Sequence, residues 1–349
     1  MGKIKDIPYR AISAAILIAA FVSAPLSAQP KSKITFMEGE SAADAVLPKP
    51  PEPCVSRLPA WELSTGEGTY NRFAAKKSNV DCREAFKAAI RSFTDEEKQT
   101  LRQYVDLVDS AINAEFPALN SVPWSFVVIS DSTDFGVPTS KKNIILTRGL
   151  LSEMRDWMEH RSKLMFVGME ILIHEKVLLL QFRSARTFEK FYREVWGFRK
   201  INALSIDRLM EDNGIYFTSV PPNEWIIKVS PNPKDREYIM PALLMRETGK
   251  EGGALQRVAI TIDSTSKGFF PRKSKKTPIE YKDLSFIIQY RKKFLLSEYD
   301  YHPAELSADL IAKFLVMKRV SGQYGTATAK VSEYSDIDVL MKMVAEAKK

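Results

Sequence analysis

Cysteine and histidine are scarce in this chain of 349 residues: there are two cysteines, Cys54 and Cys82, and three histidines, His160, His174 and His302. The cysteines lack the close spacing of a zinc-binding pair, and both precede the apolar segments that can build a core, so a thiolate metal cluster is excluded. In an oxidising compartment an even pair can form a disulfide; two free thiols are the alternative. No glycine-rich phosphate loop and no Gly-x-Ser-x-Gly occurs, which removes nucleotide-phosphate and serine-hydrolase chemistry. No internal repeat is present. Acidic residues are outnumbered, 43 against 51 basic ones, for a formal charge of +8. A basic surface suits anionic cell-envelope polymers or lipid headgroups. The bases are spread along the chain except for Arg272-Lys273-Ser274-Lys275-Lys276, which reads as a solvated loop.

The N-terminus has the layout of a secretory signal peptide. Lys3, Lys5 and Arg10 precede an uncharged apolar run from Ala11 to Leu26, and the small residues Ser27 and Ala28 close it. Cleavage after Ala28 is expected. An uncleaved anchor is the alternative, but the run is short for a span of about 20 residues and contains Pro25. No cysteine lies near the cleavage site, which argues against a lipoprotein. The mature chain is therefore expected to be exported, periplasmic or secreted, and a nucleic-acid partner is not expected.

Residues 29–60 read as a linker or extended lead-in, because Leu47-Pro48-Lys49-Pro50-Pro51-Glu52-Pro53 favours an extended backbone. Ordered structure is expected from about Trp61 onward. A helix is predicted over Asp81–Phe93. Thr94 with Glu97 forms a capping box that opens a second helix, which ends at Pro117. Ser125–Ile129 and Asn143–Thr147 read as strands. Helical pattern returns from Leu150 through Trp157. Lys163–Phe182 is apolar nearly all round, as expected of a buried central helix. An amphipathic helix covers Ala185–Val195. Strands are predicted at Glu224–Val229, Tyr238–Arg246 and Gln256–Asp263. Helices are predicted from Pro303 to about Val320 and from about Asp336 to the end. The pattern of elements gives an α+β fold.

The chemistry concentrates in two segments. His174-Glu175 interrupts the apolar central helix, and a buried polar pair costs free energy unless it is satisfied. A hydrogen bond to Glu170 or to a neighbouring carbonyl would suffice for a lone core histidine. His174-Glu175-x-x-Leu178 is, however, the zinc-peptidase motif HExxH with leucine at the second histidine. Downstream, His302-Pro303-Ala304-Glu305 opens another helix, with Asp309 one turn after Glu305.

These pieces, in this order, resemble a family of exported or membrane-associated bacterial gluzincin-like metallopeptidases. Members carry a helix near HExxHxxQ, then an aromatic helix ending in Trp-Gly-Phe, then a His-Pro-x-Glu segment ending in Ala-Asp. Here those are His174-Glu175 with Gln181, then Phe188–Tyr192 through Trp196-Gly197-Phe198, then His302–Asp309. The likeness covers roughly residues 120–320. It implies a zincin-like fold in which the motif helix faces a second-motif helix beside a small sheet. It also implies a zinc ion held by His174 and Glu305, Glu175 as general base, His302 as an oxyanion stabiliser, and Asp309 supporting a ligand histidine.

Leu178 departs from that pattern. A catalytic zinc takes three protein ligands and a water, and leucine ligates nothing. His302 and His160 are the conceivable substitutes. The domains expected are a signal peptide over 1–28, a Pro-rich lead-in over 29–60 and a zincin-like domain over 61–349. The expected function is that of a degenerate, catalytically inactive metallopeptidase homologue serving as an envelope scaffold or binding protein for a protein or peptide partner. The alternative is an active zinc peptidase with an unusual ligand set. His174 and Glu305 should then lie on facing helices with side chains within about 10 Å.

Overall fold

A computed structural model describes residues 32–46, 56–57, 87–131, 137–138, 141–201, 215–216, 225–230, 237–247, 253–274, 279–294, 297, 299–324 and 334–347. The leader, the Leu47–Pro53 stretch, Cys54 and Cys82 lie outside the described residues. The first part of the chain gives β1 (Ile34–Met37), α1 (Gly39–Val46), β2 (Ser56–Arg57), β3 (Ile90–Arg91), α2 (Asp95–Glu115), β4 (Trp124–Ile129), β5 (Val137–Pro138) and β6 (Ile144–Thr147). Three helices follow, α3 (Arg148–Glu159), α4 (Met165–Arg183) and α5 (Ala185–Glu194). Then come β7 (Phe198–Lys200), β8 (Ile215–Tyr216), β9 (Trp225–Ile227), β10 (Glu237–Glu247), β11 (Gly253–Thr265), β12 (Gly268–Pro271) and β13 (Tyr281–Asp283). The last helices are α6 (Ile288–Phe294), α7 (Pro303–Tyr324) and α8 (Ser335–Glu346). The fold is α+β, as the order of elements predicts.

The lead-in is more than a linker. Strand β1 pairs in parallel with β4, from Ile34 opposite Trp124 to Met37 opposite Val127. The reason is a period of two: Ile34 and Phe36 face the main core while Met37 packs with Ile129 and Ala42 on the other side of the sheet. Strand β6 flanks β4 in parallel on its other edge. The helix predicted over Asp81–Phe93 stops early, because Ile90 and Arg91 pair with Ile129 and Val128 and so extend the β1 edge. Sheet hydrogen bonds there outcompete a last helical turn. Strands β2 and β5 form a separate antiparallel pair.

Helix α2 begins as its sequence dictates. The Thr94 hydroxyl accepts from the Glu97 N–H at 3.2 Å, and the Glu97 carboxylate accepts from the Thr94 N–H at 2.8 Å. Pro117 opens a short 3₁₀ turn that ends the helix. Tyr104 on α2 is fully buried, and its hydroxyl donates to the Met154 carbonyl on α3 at 3.1 Å. Its ring lies against Gly168 of α4: a Cβ at that glycine would stand 2.6 Å from Tyr104 Cε1.

Helix α4 runs through the centre, touching α2, α3, α5, α7 and β6. Its nearly continuous apolar sequence follows from that position, since neighbours surround it. The second sheet is antiparallel, in the order β12-β11-β10-β9-β7, with β13 on β11 and β8 on β10. Its two faces alternate along β10: Ile239 packs into the main core, and Met240 joins Val258, Ile260 and Ile262 in a second cluster. Glu237 and Asp263 sit directly opposite one another, like charges that would repel. Arg272 holds both, at 2.8 Å and 2.6 Å.

Candidate functional site

The two helices named by the motif fragments face each other. His174 on α4 places Nε2 2.9 Å from Glu305 Oε2 on α7, with the residues 3% and 4% exposed. The Tyr299 ring lies 5.0 Å from the imidazole, centroid to centroid. Tyr299 is in turn clustered with Tyr301 and with Leu243 of β10, so the second sheet helps to wall the pair. Two ligands of one tetrahedral zinc stand about 3.4 Å apart, from metal–ligand distances near 2.1 Å. The side chains converge on one another and make a direct hydrogen bond.

The start of α7 is fastened to α4 and α5. His302 caps the helix: its Nδ1 accepts from the Ala304 N–H at 3.1 Å. Nε2 must then carry the proton of the neutral ring. That N–H is buried without a hydrogen-bond partner among the described residues. Burial pushes the imidazole pKa down to about 4, so the ring is neutral near pH 7. Gln181, two turns beyond His174, donates to the Ala304 carbonyl at 2.9 Å and to Ser307 Oγ at 3.2 Å. The Tyr192 hydroxyl on α5 meets the same Ser307 Oγ at 2.8 Å. Gln181 thus ties the start of α7 to α4, and Tyr192 ties it to α5. Ser307 carried no signal of its own in the sequence.

Asp309 and His160 do not join the pair. Asp309 lies one turn beyond Glu305 but is held by Lys313 on its own helix at 3.0 Å rather than by a histidine. The i,i+4 spacing puts that cation within reach, and a carboxylate only 5% exposed takes the nearest one. His160 is at the surface, its ring bonded to the Asp156 carbonyl at 3.0 Å, and cannot stand in for a missing ligand. Leu178 is half-buried and packs on the main core. Glu175, next to His174, is 6% exposed. Among the described residues no three His, Cys, Asp or Glu side chains are grouped to hold an ion. His174 and Glu305 are bonded to one another, and position 178 holds leucine, which ligates no metal.

Two buried charged groups were not singled out in the sequence. Lys176 is 1% exposed and sets its ammonium 3.6 Å from the centroid of the Trp124 ring. Burial lowers its pKa to about 7, and nearby Asp109, which accepts from Trp124 Nε1 at 2.9 Å, partly opposes that. The available signal was a lysine inside an otherwise apolar helix. Asp300 is raised to about 6 by burial, and Arg257, 3.1 Å away, partly offsets the shift.

The Trp196-Gly197-Phe198 segment is packing. Trp196 is 1% exposed and lies against Phe191, Tyr192 and Phe294. Gly197 has φ +74, a backbone conformation that favours glycine, and it turns the chain from α5 into β7. No protein-family model, no curated protein and no solved structure matches the chain.

Proposed function

We propose that this chain is an exported, zincin-like metallopeptidase homologue that has lost its metal site and serves as a binding or scaffold protein of the cell envelope. The observation that carries the proposal is the buried His174–Glu305 hydrogen bond of 2.9 Å, made where a gluzincin would hold its ion. Leu178 occupies the place of the second histidine, one turn along the same helix face. Without a third donor an ion would be held weakly, and Glu175 would have no activated water to deprotonate. The two polar side chains instead satisfy each other, which removes the cost of burying either alone. Fold does not carry function with it, and here the fold outlasts the chemistry. The partner expected is a protein or peptide.

The test is the metal content of the purified protein after dialysis against a weak chelator, together with a peptidase assay. Substoichiometric zinc and no hydrolysis are expected. Stoichiometric zinc that survives dialysis would overturn the proposal in favour of an active peptidase with an unusual ligand set.

A further inference from the structure

Phe286 and Ile288 are the most exposed large apolar side chains among the described residues, at 76% and 60%. They sit on a 3₁₀ turn, Leu284–Phe286, and on the first residue of α6. The segment is anchored from below. Leu284, Tyr290 and Phe294 are buried, the Tyr290 hydroxyl donates to the Asp300 carbonyl, and Phe294 packs on Trp196 and Phe198. Lys293 Nζ donates to the Trp196 carbonyl at 2.8 Å. The outward face of this platform carries cations beside the apolar pair. Ile288, Arg291 and Lys292 share the i, i+3, i+4 spacing of one helix face. Arg291 donates to the Ser285 carbonyl at 3.3 Å, which holds its guanidinium beside Phe286. Lys282, Arg291 and Lys292 are exposed, and none enters an ion pair among the described residues. The acid of the segment, Asp283, is occupied by Gln256 and Ser285.

We propose that Phe286 and Ile288, flanked by Arg291 and Lys292, form a docking site for an anionic phospholipid bilayer. An aromatic and a β-branched side chain held outward can enter the headgroup–acyl boundary, and bases around them meet the lipid phosphates. Charge complementarity selects this occupant: a soluble anionic polymer has no use for the apolar pair, and a neutral apolar groove has none for the exposed cations beside it. The inference is independent of the His174–Glu305 reading.

The full chain and two variants, Phe286→Ser/Ile288→Ser and Arg291→Glu/Lys292→Glu, are sedimented with vesicles of phosphatidylcholine alone or mixed with phosphatidylglycerol. Circular dichroism checks that each variant is folded, as expected for exposed side chains. Amide hydrogen exchange is followed over residues 284–294 with and without vesicles. The expected result is binding to the anionic vesicles, slowed exchange in that segment, and release by high salt. Each base near an anionic surface contributes roughly fivefold in affinity, so the charge-reversed variant should lose about 25-fold or more. The serine variant should lose at least about tenfold. Unchanged exchange in the segment, or equal binding by all three proteins, overturns the proposal. An absence of vesicle binding overturns it too.

Discussion

His174 and Glu305, 131 residues apart in sequence, meet at 2.9 Å between α4 and α7, and neither side chain has appreciable access to water. Removing either partner therefore breaks a buried, charge-assisted hydrogen bond. His174→Ala and Glu305→Ala should each lower unfolding stability by about 3–5 kcal/mol. The double change to apolar side chains of similar volume, His174→Phe with Glu305→Leu, should cost less than either. Urea denaturation of the three variants checks this. A double variant as weak as the sum of the singles would mean that the pair is not a local unit.

Leu178→His should create a metal site. A histidine at position 178 projects from the same helix face as His174, toward Glu305. Zinc affinity, measured by competition with a chromogenic chelator, should rise at least about 100-fold, since even an outer contact to a metal ligand is worth 10–100-fold. Catalysis need not follow. A folded variant with unchanged affinity would show that the two positions do not aim at a common point.

Lys176 makes stability depend on pH in a stated direction. Its pKa is near 7 when folded, against about 10.4 in an unfolded chain, so between those values the unfolded state binds more protons. The burial penalty is then fully present below about pH 7 and fades as pH rises. Lys176→Met should be more stable than the natural protein at pH 6.5, by roughly 1–3 kcal/mol, and the advantage should shrink by pH 9. The difference between paired denaturation curves reads this directly. An advantage that grows with pH would mean that the ammonium is stabilised where it lies.

Gly168 is where Tyr104 of α2 meets α4. Gly168→Ala would place a methyl 2.6–2.8 Å from the Tyr104 ring and hydroxyl, and the ring is fixed by its bond to the Met154 carbonyl. Overpacking of this kind costs about 1–3 kcal/mol, more than the helix propensity gained from alanine. A thermal or urea midpoint at or above that of the natural protein would show that α2 and α4 can move apart freely.

Local chemistry made much of the fold legible. The capping box at Thr94 and Glu97, the stop at Pro117, the β-branched strands around Val127 and Ile145, and the apolar length of α4 depend on neighbours within a few residues. The misreadings involve distant partners. Ile34–Met37 is a short alternating run before a proline-rich stretch, and it becomes a strand only because the edge of β4 is open to it. Ile90 and Arg91 continue a helical pattern, yet the same edge draws them into a sheet. The Arg272 cluster reads as a solvated loop, whereas Arg272 itself bridges Glu237 and Asp263 across a strand pair.

The sequence by itself determined the candidate residues: His174 with Glu175, the leucine at 178, and Glu305 with Asp309 one turn later, because helical spacing fixes which side chains share a face. Only the tertiary structure decided what those residues do with each other. Packing of α7 on α4 and α5, fastened by Gln181, Ser307 and Tyr192, brings Glu305 rather than Glu170 to His174. Asp309 turns to Lys313, and His302 bonds its own helix. It also places the unflagged Lys176 over Trp124. The physical reason is that burial removes water as a partner, so each polar group bonds to whatever the packed helices bring near, and sequence spacing does not record that distance.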